Sequence, residues 1–123
     1  MNKKVKYLTT DEIVAIHDEI IKETGGYEGI ISYGNLDFTV SQMQIPKDIV
    51  RKAAILFNGI LTSHPFLDGN KRTALECMKT FLFLNGRGFS ADEKDIWDKV
   101  HSISEGKLKF DEVVNWIKKN IGD

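Results

Sequence analysis

The sequence predicts an all-α protein, a compact bundle of about six helices in a single domain that spans residues 1–123. Three observations favour this fold class. Apolar residues recur at intervals of three and four along several segments, which is the spacing of one helix face. Capping residues and glycines separate those segments. The length of 123 residues, with 41% hydrophobic and 28% charged residues, is typical of one globular domain.

The first predicted helix begins with a capping box. Thr9 can cap the backbone, and Glu12 lies three residues later, which is the reciprocal arrangement of this motif. Isoleucines then recur at helical spacing up to Lys22, and the next two glycines end the helix. Residues 27–35, which we call the flap, contain further glycines and are predicted to form a turn or a short β-hairpin.

Two helices are predicted between the flap and the middle of the chain. A short one covers residues 36–44, with Asn35 as its cap and Pro46 marking its end. The next covers residues 47–63, and its apolar positions follow one face so closely that it is the strongest amphipathic helix of the chain. A helix of this kind is expected to pack its apolar face against the core.

Three helices are predicted in the second half of the chain. Residues 73–85 are apolar on most sides, and such a helix is expected at the centre of a bundle. Ser90 and Glu93 repeat the capping-box pattern and open a helix that ends near Gly106. Residues 110–121 carry the last amphipathic pattern. The six predicted helices together account for most of the sequence.

Charge, cysteine content and hydropathy argue against several classes of function. Lys and Arg number 17 against 18 Asp and Glu, so the formal charge of −1 gives no reason to expect direct nucleic-acid binding. The single cysteine, Cys77, excludes an internal disulfide and a cysteine-based zinc cluster, and it fits a reducing compartment. No apolar run is long enough to span a bilayer, so we expect no membrane partner and a cytoplasmic location.

The loop 64–72, with the sequence HPFLDGNKR, contains an unusual concentration of reactive side chains. The preceding helix is predicted to end at Ser63 or His64, and the following one to begin at Asn70 or Lys71. The second helix would therefore direct its free backbone N–H groups and the positive end of its dipole into the loop, which favours anion binding. We interpret the loop as a phosphate-binding catalytic loop.

Two residues of this loop are candidates for acid–base and metal chemistry. His64 is the only loop residue that could take a proton from a hydroxyl near neutral pH, so it is the candidate general base. Asp68 is the only loop carboxylate, and Mg²⁺ typically takes one or two carboxylates together with phosphate oxygens and water. Asp68 is therefore the candidate metal ligand.

The other polar residues suit the binding of phosphate groups. Gly69 lets the backbone approach an anion closely, and Asn70 can donate through its side-chain amide. Lys71 supplies a point charge and Arg72 a planar fork, which together can neutralise charge on a transferring phosphoryl group. Phe66 is expected to turn into the core and to fix the shape of the loop.

Structural roles compete with these functional ones. The loop could be a simple turn in which Asp68 or Asn70 only caps the next helix. His17 lies on the apolar face of the first helix, where a hydrogen-bonded core residue is expected rather than a ligand. His101 is expected at the surface or between helices, and Trp97 at a core position. Cys77 is expected to pack rather than to react.

The loop resembles the signature of the Fic/Doc family, His-x-Phe-x-Asp/Glu-Gly-Asn, which lies between two helices of a helical bundle. The ending Asn70-Lys71-Arg72 is similar to that of the Doc, or death-on-curing, branch. The resemblance extends over essentially the whole chain. It implies that His64 is the base toward a protein hydroxyl, that Asp68 holds Mg²⁺, and that Asn70, Lys71 and Arg72 bind the phosphates of ATP.

Two departures from the typical Fic pattern bear on the reaction. Lys71 replaces a glycine that leaves space for phosphate, and Leu75 replaces a second arginine that holds the distal phosphates. As in Doc, the nucleotide is then expected to present its γ-phosphate. The resemblance implies an ATP-dependent protein kinase that phosphorylates a Ser or Thr, with the translation factor EF-Tu as target and a Phd-like antitoxin as partner, so that translation and growth stop.

Two other functions stay open. One is Fic-type transfer of AMP to a protein by an enzyme that manages without the second arginine. The other is a non-catalytic binding domain that has kept the fold. The nucleotide label that reaches a target protein distinguishes transfer of phosphate from transfer of AMP, and the absence of any label favours the binding domain.

Overall fold

Six α-helices follow one another in a computed structural model that describes residues 4–122. Their bounds are Thr10–Thr24 (α1), Tyr33–Gln42 (α2), Ile49–Ser63 (α3), Asn70–Leu84 (α4), Glu93–Ser104 (α5) and Phe110–Lys119 (α6). The only β pairing among the described residues consists of two isolated bridges, Ile30 with Phe66 and Phe89 with Ile121. The all-α prediction is therefore confirmed. No helix in the described part of the chain has the length and apolar character needed to cross a membrane.

Local capping signals account for most helix boundaries. The predicted capping box of α1 is present, because the Thr9 hydroxyl accepts from the Glu12 N–H and the Glu12 carboxylate accepts from the Thr9 N–H. The predicted box at Ser90 is wrong, since Asp92 is the N-cap of α5 and makes no side-chain cap bond. The helix predicted for residues 36–44 begins earlier in the structure. Ser32 caps this helix by accepting from the Asn35 N–H at 3.0 Å, so α2 begins at Tyr33.

The central helix is α3, and the expectation that the helix after the loop lies at the centre is wrong. α3 packs against α2, α4, α5 and α6, whereas α4 packs against α1, α3 and α5. The apolar residues at the end of α4 explain the error, because Phe83 is 78% exposed and Leu84 39% exposed. Apolar content shows how many faces of a helix could be buried, but not which faces receive a neighbour.

Close contact between α2 and α3 depends on Gly59. A Cβ at this position would lie 2.7 Å from both Cγ2 and Oγ1 of Thr39, a buried residue of α2. We expect Gly59→Ala to reduce the free energy of unfolding, because overpacking costs about 1–3 kcal/mol. The better helix propensity of alanine offsets about 1 kcal/mol of that cost. Urea denaturation monitored by circular dichroism measures the difference.

Two further variants control this experiment. In Gly34→Ala, the added Cβ meets only the Ser32 hydroxyl, at 3.7 Å, so this variant should be no less stable than the parent protein. Adding Thr39→Ala to Gly59→Ala makes room for the new methyl group and should recover most of the loss. Equal stability of Gly59→Ala and the parent would contradict the close-packing explanation.

Candidate functional site

The loop 64–72 begins with a strained residue. α3 ends at Ser63, as predicted, and His64 follows with a φ of 48° while its N–H donates to the Ile60 carbonyl at 3.2 Å. Among the described residues His64 is the only non-glycine residue with a positive φ. Such backbone is uncommon for a residue with a side chain and concentrates at functional sites. The turn leaves the imidazole of His64 exposed at the C-terminus of α3.

Asn70 closes the loop on itself. Its Oδ1 accepts from the Phe66 N–H at 3.0 Å, and its Nδ2 donates to the Phe66 carbonyl at 2.8 Å. Phe66 is fully buried, as predicted, so the two bonds attach the loop to the core. The side-chain amide of Asn70 is thereby engaged within the protein, and its assignment as a phosphate ligand stays a prediction.

The N-terminus of α4 presents free backbone amides. Its N-cap is Gly69, with a φ of 79° and no side chain that could accept from the first turn. The first N–H bonded within the helix is that of Thr73, which donates to the Gly69 carbonyl at 3.0 Å. Within residues 4–122 the N–H groups of Asn70, Lys71 and Arg72 have no acceptor. Neither Asp68 nor Asn70 caps the helix, so the alternative of a simple capping turn is wrong.

The carboxylate of Asp68 lies beside these amides. Its Oδ1 accepts from the Gly69 N–H at 2.9 Å, and its Oδ2 accepts from the Tyr27 N–H at 3.1 Å. Each carboxylate oxygen can accept a second bond, so both retain capacity toward a cation or a solvent molecule. The described residues contain no cluster of three or more His, Cys, Asp or Glu side chains suited to a metal ion.

The flap pairs with the loop rather than with itself, so the alternative of a β-hairpin within it is wrong. The Leu67 N–H donates to the Gly29 carbonyl at 3.0 Å, and the N–H groups of Ile31 and Ser32 donate to the Pro65 carbonyl at 2.7 and 3.1 Å. The backbone of the loop takes the place of a second strand, so the N–H groups of the flap find acceptors there and not within a hairpin. The end of the predicted flap forms the first turn of α2.

A cleft of about 430 Å³ brings the predicted site residues together. It is lined by His64, Leu67, Asp68, Gly69, Asn70, Lys71, Arg72, Trp97 and His101. Lys71 is half-buried in its wall. Arg72 is exposed and donates from Nη1 to the Thr24 hydroxyl at 2.9 Å. All six predicted site residues therefore line one cleft, although their chemical roles stay predictions.

Two residues of the cleft were not expected there. Trp97 was assigned to the core and His101 to the surface or to a position between helices, but both line the cleft from α5. Trp97 is half-buried, with one part against the core and another facing the cleft, so the core assignment was only partly correct. Their spacing of four residues on one helix face was the available signal. This spacing alone did not identify the cleft, because the cleft also depends on the packing of α5 against α4.

Cys77 and His17 have the structural roles expected of them. Cys77 is fully buried, and this burial raises the pKa of its thiol, so it is unsuited to act as a nucleophile. His17 is also fully buried and is hydrogen-bonded, since its Nε2 lies 2.7 Å from the Asp68 carbonyl oxygen. This contact brings α1 against the loop from the side away from solvent.

Comparisons with known proteins find matches over most of the chain. The model of the Fic/DOC family matches residues 7–82. Protein kinase doc of Escherichia phage P1 is 24% identical over 124 residues, which cover 96% of this chain and 98% of that protein. Toxin Doc of Mycolicibacterium smegmatis is 37% identical over 76 residues, which cover 55% of this chain and 58% of that protein. The region matched by the family model includes the flap and the whole loop.

Proposed function

The chain belongs to the Fic/DOC family, within its Doc branch, and on that premise we propose that it is a Doc-like toxin that acts as a protein kinase. The reaction transfers the γ-phosphate of ATP to a Ser or Thr hydroxyl of a target protein. The names of the two relatives described above, a protein kinase and a toxin, support this proposal. EF-Tu is the proposed target, whose modification would arrest translation, and a Phd-like antitoxin is the proposed partner.

One observation carries the proposal. The three residues with free amides at the N-terminus of α4, Asn70, Lys71 and Arg72, line the same cleft as His64 and Asp68. Backbone amides, a helix dipole and two cations form an environment that stabilises phosphate charge. A base beside such a site is what transfer to a hydroxyl requires. The described residues combine these features in one cleft.

Asp68 is the residue that would hold Mg²⁺. Among the described residues, each of its two oxygens accepts a single hydrogen bond, so the carboxylate fits a site in which nucleotide and water supply the other ligands. When bound there, Mg²⁺ would neutralise charge on the phosphate oxygens. The bonds from Gly69 and Tyr27 would orient the carboxylate toward the metal.

The chemical step uses His64 and the cations of the loop. His64 accepts the proton of the target hydroxyl, whose oxygen forms a bond to the γ-phosphorus while the bond from that phosphorus to the β,γ-bridging oxygen breaks. ADP leaves, and the phosphorylated side chain remains on the target. Lys71 and Arg72 stabilise the charge spread over the phosphoryl oxygens, since a planar fork and a point charge contact different oxygens.

Two residues favour transfer of phosphate over transfer of AMP. The side chain of Lys71 occupies space in the cleft wall that a glycine would leave open. Leu75 lies one turn further along α4, half-buried against the core, where a second arginine would be needed to hold distal phosphates. Transfer of AMP is the second candidate function, and a non-catalytic binding domain is the third.

Labelled ATP tests the proposal. We would incubate the purified protein with a translation extract and ATP labelled at either the α- or the γ-phosphate. Label from the γ-position alone on a protein supports the kinase, and label from the α-position supports transfer of AMP. No label from either position, with growth arrest that persists in His64→Ala, favours the non-catalytic domain. Mass spectrometry of the labelled band then identifies the target and tests EF-Tu.

Gly26 directly precedes the flap, at the point where the chain approaches Asp68. A Cβ at Gly26 would lie 2.6 Å from the Asp68 Oδ2, and its φ of 123° disfavours any side chain. We expect Gly26→Ala to displace the flap backbone from the carboxylate and so to break the hydrogen bond from the Tyr27 N–H to Asp68. Activity should fall about 10- to 100-fold, as loss of a hydrogen bond to a metal ligand typically causes. The γ-label assay measures this loss.

Gly25→Ala is the matched control for this prediction. Gly25 has a φ of 80°, but a Cβ there meets no atom within 4 Å. This variant carries backbone strain without contacting Asp68, so its stability should fall while its activity stays close to that of the parent protein. Equal losses of activity in the two variants would show that strain, rather than contact with Asp68, is responsible.

A further inference from the structure

We propose that His17 is a positioning residue of the active site, which sets the place of the Asp68 carboxylate from the buried side of the loop. This inference rests on the proposed function. His17 lies in the middle of α1, at a sequence separation of 51 from Asp68, and its side chain is fully buried. A carbonyl oxygen can only accept, so the Nε2 of His17, 2.7 Å from the Asp68 oxygen, carries the hydrogen of this bond and donates it.

The bond from His17 fixes one end of a peptide plane. The Asp68 carbonyl and the Gly69 N–H belong to the same planar unit, so they cannot rotate independently. The carbonyl end accepts from His17, while the N–H end donates to the Oδ1 of Asp68 at 2.9 Å. The orientation of this plane therefore determines the position of the Gly69 N–H group that donates to the carboxylate. His17 acts on the carboxylate through the backbone and does not itself enter the cleft lining.

The ring of His17 also fixes the loop by stacking. It lies on the Phe66 ring with the centroids 3.8 Å apart and an angle of 4° between the planes. A Cβ at Gly69 would lie 3.6 Å from the His17 ring and 3.0 Å from the Ile21 Cδ1, so α1 packs closely against the loop at this point. The His17 side chain thus contacts the loop at Phe66 and at the Asp68 carbonyl, and it lies close to Gly69.

Two substitutions separate the donor from the ring. His17→Phe keeps an aromatic ring on Phe66 but removes the donor, and it leaves the Asp68 carbonyl without this partner. His17→Gln removes the ring but keeps an N–H donor at nearly the same distance from the backbone. If His17 positions Asp68, the active site should be impaired in His17→Phe, whereas His17→Gln should behave largely like the parent protein.

The first measurement is the MgCl₂ concentration for half-maximal γ-phosphate transfer. We expect His17→Phe to raise it about 10- to 100-fold, the usual effect of losing an outer hydrogen bond that orients a metal ligand. The value for His17→Gln should stay near that of the parent protein. A thermal melt of each variant is recorded in parallel, since a residue with only a packing role would change stability and leave the Mg²⁺ requirement unchanged.

A second measurement does not depend on catalysis. Hydrogen exchange of the Gly69 amide, followed by NMR without nucleotide or metal, reports the bond between that amide and the Asp68 carboxylate. It should be faster in His17→Phe than in the parent protein and largely restored in His17→Gln. If both variants show unchanged Gly69 exchange and an unchanged Mg²⁺ requirement, the positioning role is wrong. If exchange follows the prediction but the parent protein transfers no phosphate, the positioning role stands and the proposed kinase function fails.

Discussion

Replacement of His64 by alanine is expected to lower the rate of γ-phosphate transfer by about 10²- to 10⁴-fold, the usual contribution of a general base. The imidazole is exposed in the cleft, so its removal creates no cavity in the core. Loss of activity should therefore occur without a large change in the melting temperature. Single-turnover assays with γ-labelled ATP and the target protein measure the rate, and expression without antitoxin should no longer stop growth.

His101→Ala is the matched control. His101 lines the same cleft from α5 and is also exposed, but it lies outside the loop 64–72. Its removal should have a much smaller effect than removal of His64. Equal losses in the two variants would mean that the cleft needs imidazoles for binding rather than one base for proton transfer. Full activity and toxicity of His64→Ala would disprove the proposed mechanism.

Replacement of Arg72 by alanine is expected to reduce the rate by about 10²- to 10³-fold, as loss of one preorganised donor to developing charge does. Arg72→Lys should recover only part of this loss, because an ammonium keeps the charge but not the planar fork. Measuring kcat and KM for ATP separately distinguishes loss of transition-state stabilisation from loss of ATP binding. A contact that strengthens in the transition state affects kcat more than KM.

Two control variants make this prediction specific. Arg87→Ala removes the same residue type just beyond the opposite end of α4, where Arg87 donates to the Gly122 carbonyl at 3.3 Å, and it should leave the rate unchanged. Thr24→Ala removes the hydroxyl that Arg72 contacts within the protein. If Thr24→Ala impairs the enzyme as much as Arg72→Ala, Arg72 serves to hold α1 and does not act on the phosphate.

The parts of the fold that depend on nearby residues could be predicted from the sequence. The capping box of Thr9 and Glu12 and the boundaries of the loop 64–72 were correct because each uses hydrogen bonds within a few residues. Ser32 was missed as a cap because the glycines around it favoured a turn. The central place of α3 could not be predicted, since it depends on which helices pack against it.

The loop residues that line the candidate cleft could be named from the sequence, but their contacts with distant segments could not. His64 and Arg72 fall in one short motif, so the sequence places them near one another. The pairing of Asp68 with the Tyr27 N–H and with His17 joins segments far apart in the chain, and no periodicity encodes such contacts. Trp97 was missed for the same reason, because its position in the cleft depends on the packing of α5 against α4.

The glycine cap of α4 has a thermodynamic consequence. A cap residue with a side-chain acceptor would stabilise the first turn by roughly a few tenths of a kcal/mol relative to Gly69. An anion bound to the free amides would replace that acceptor, and its binding energy would add to the free energy of unfolding by linkage. We therefore expect the melting temperature to rise with ATP concentration even in His64→Ala, so that the catalytically impaired protein still reports its own nucleotide affinity.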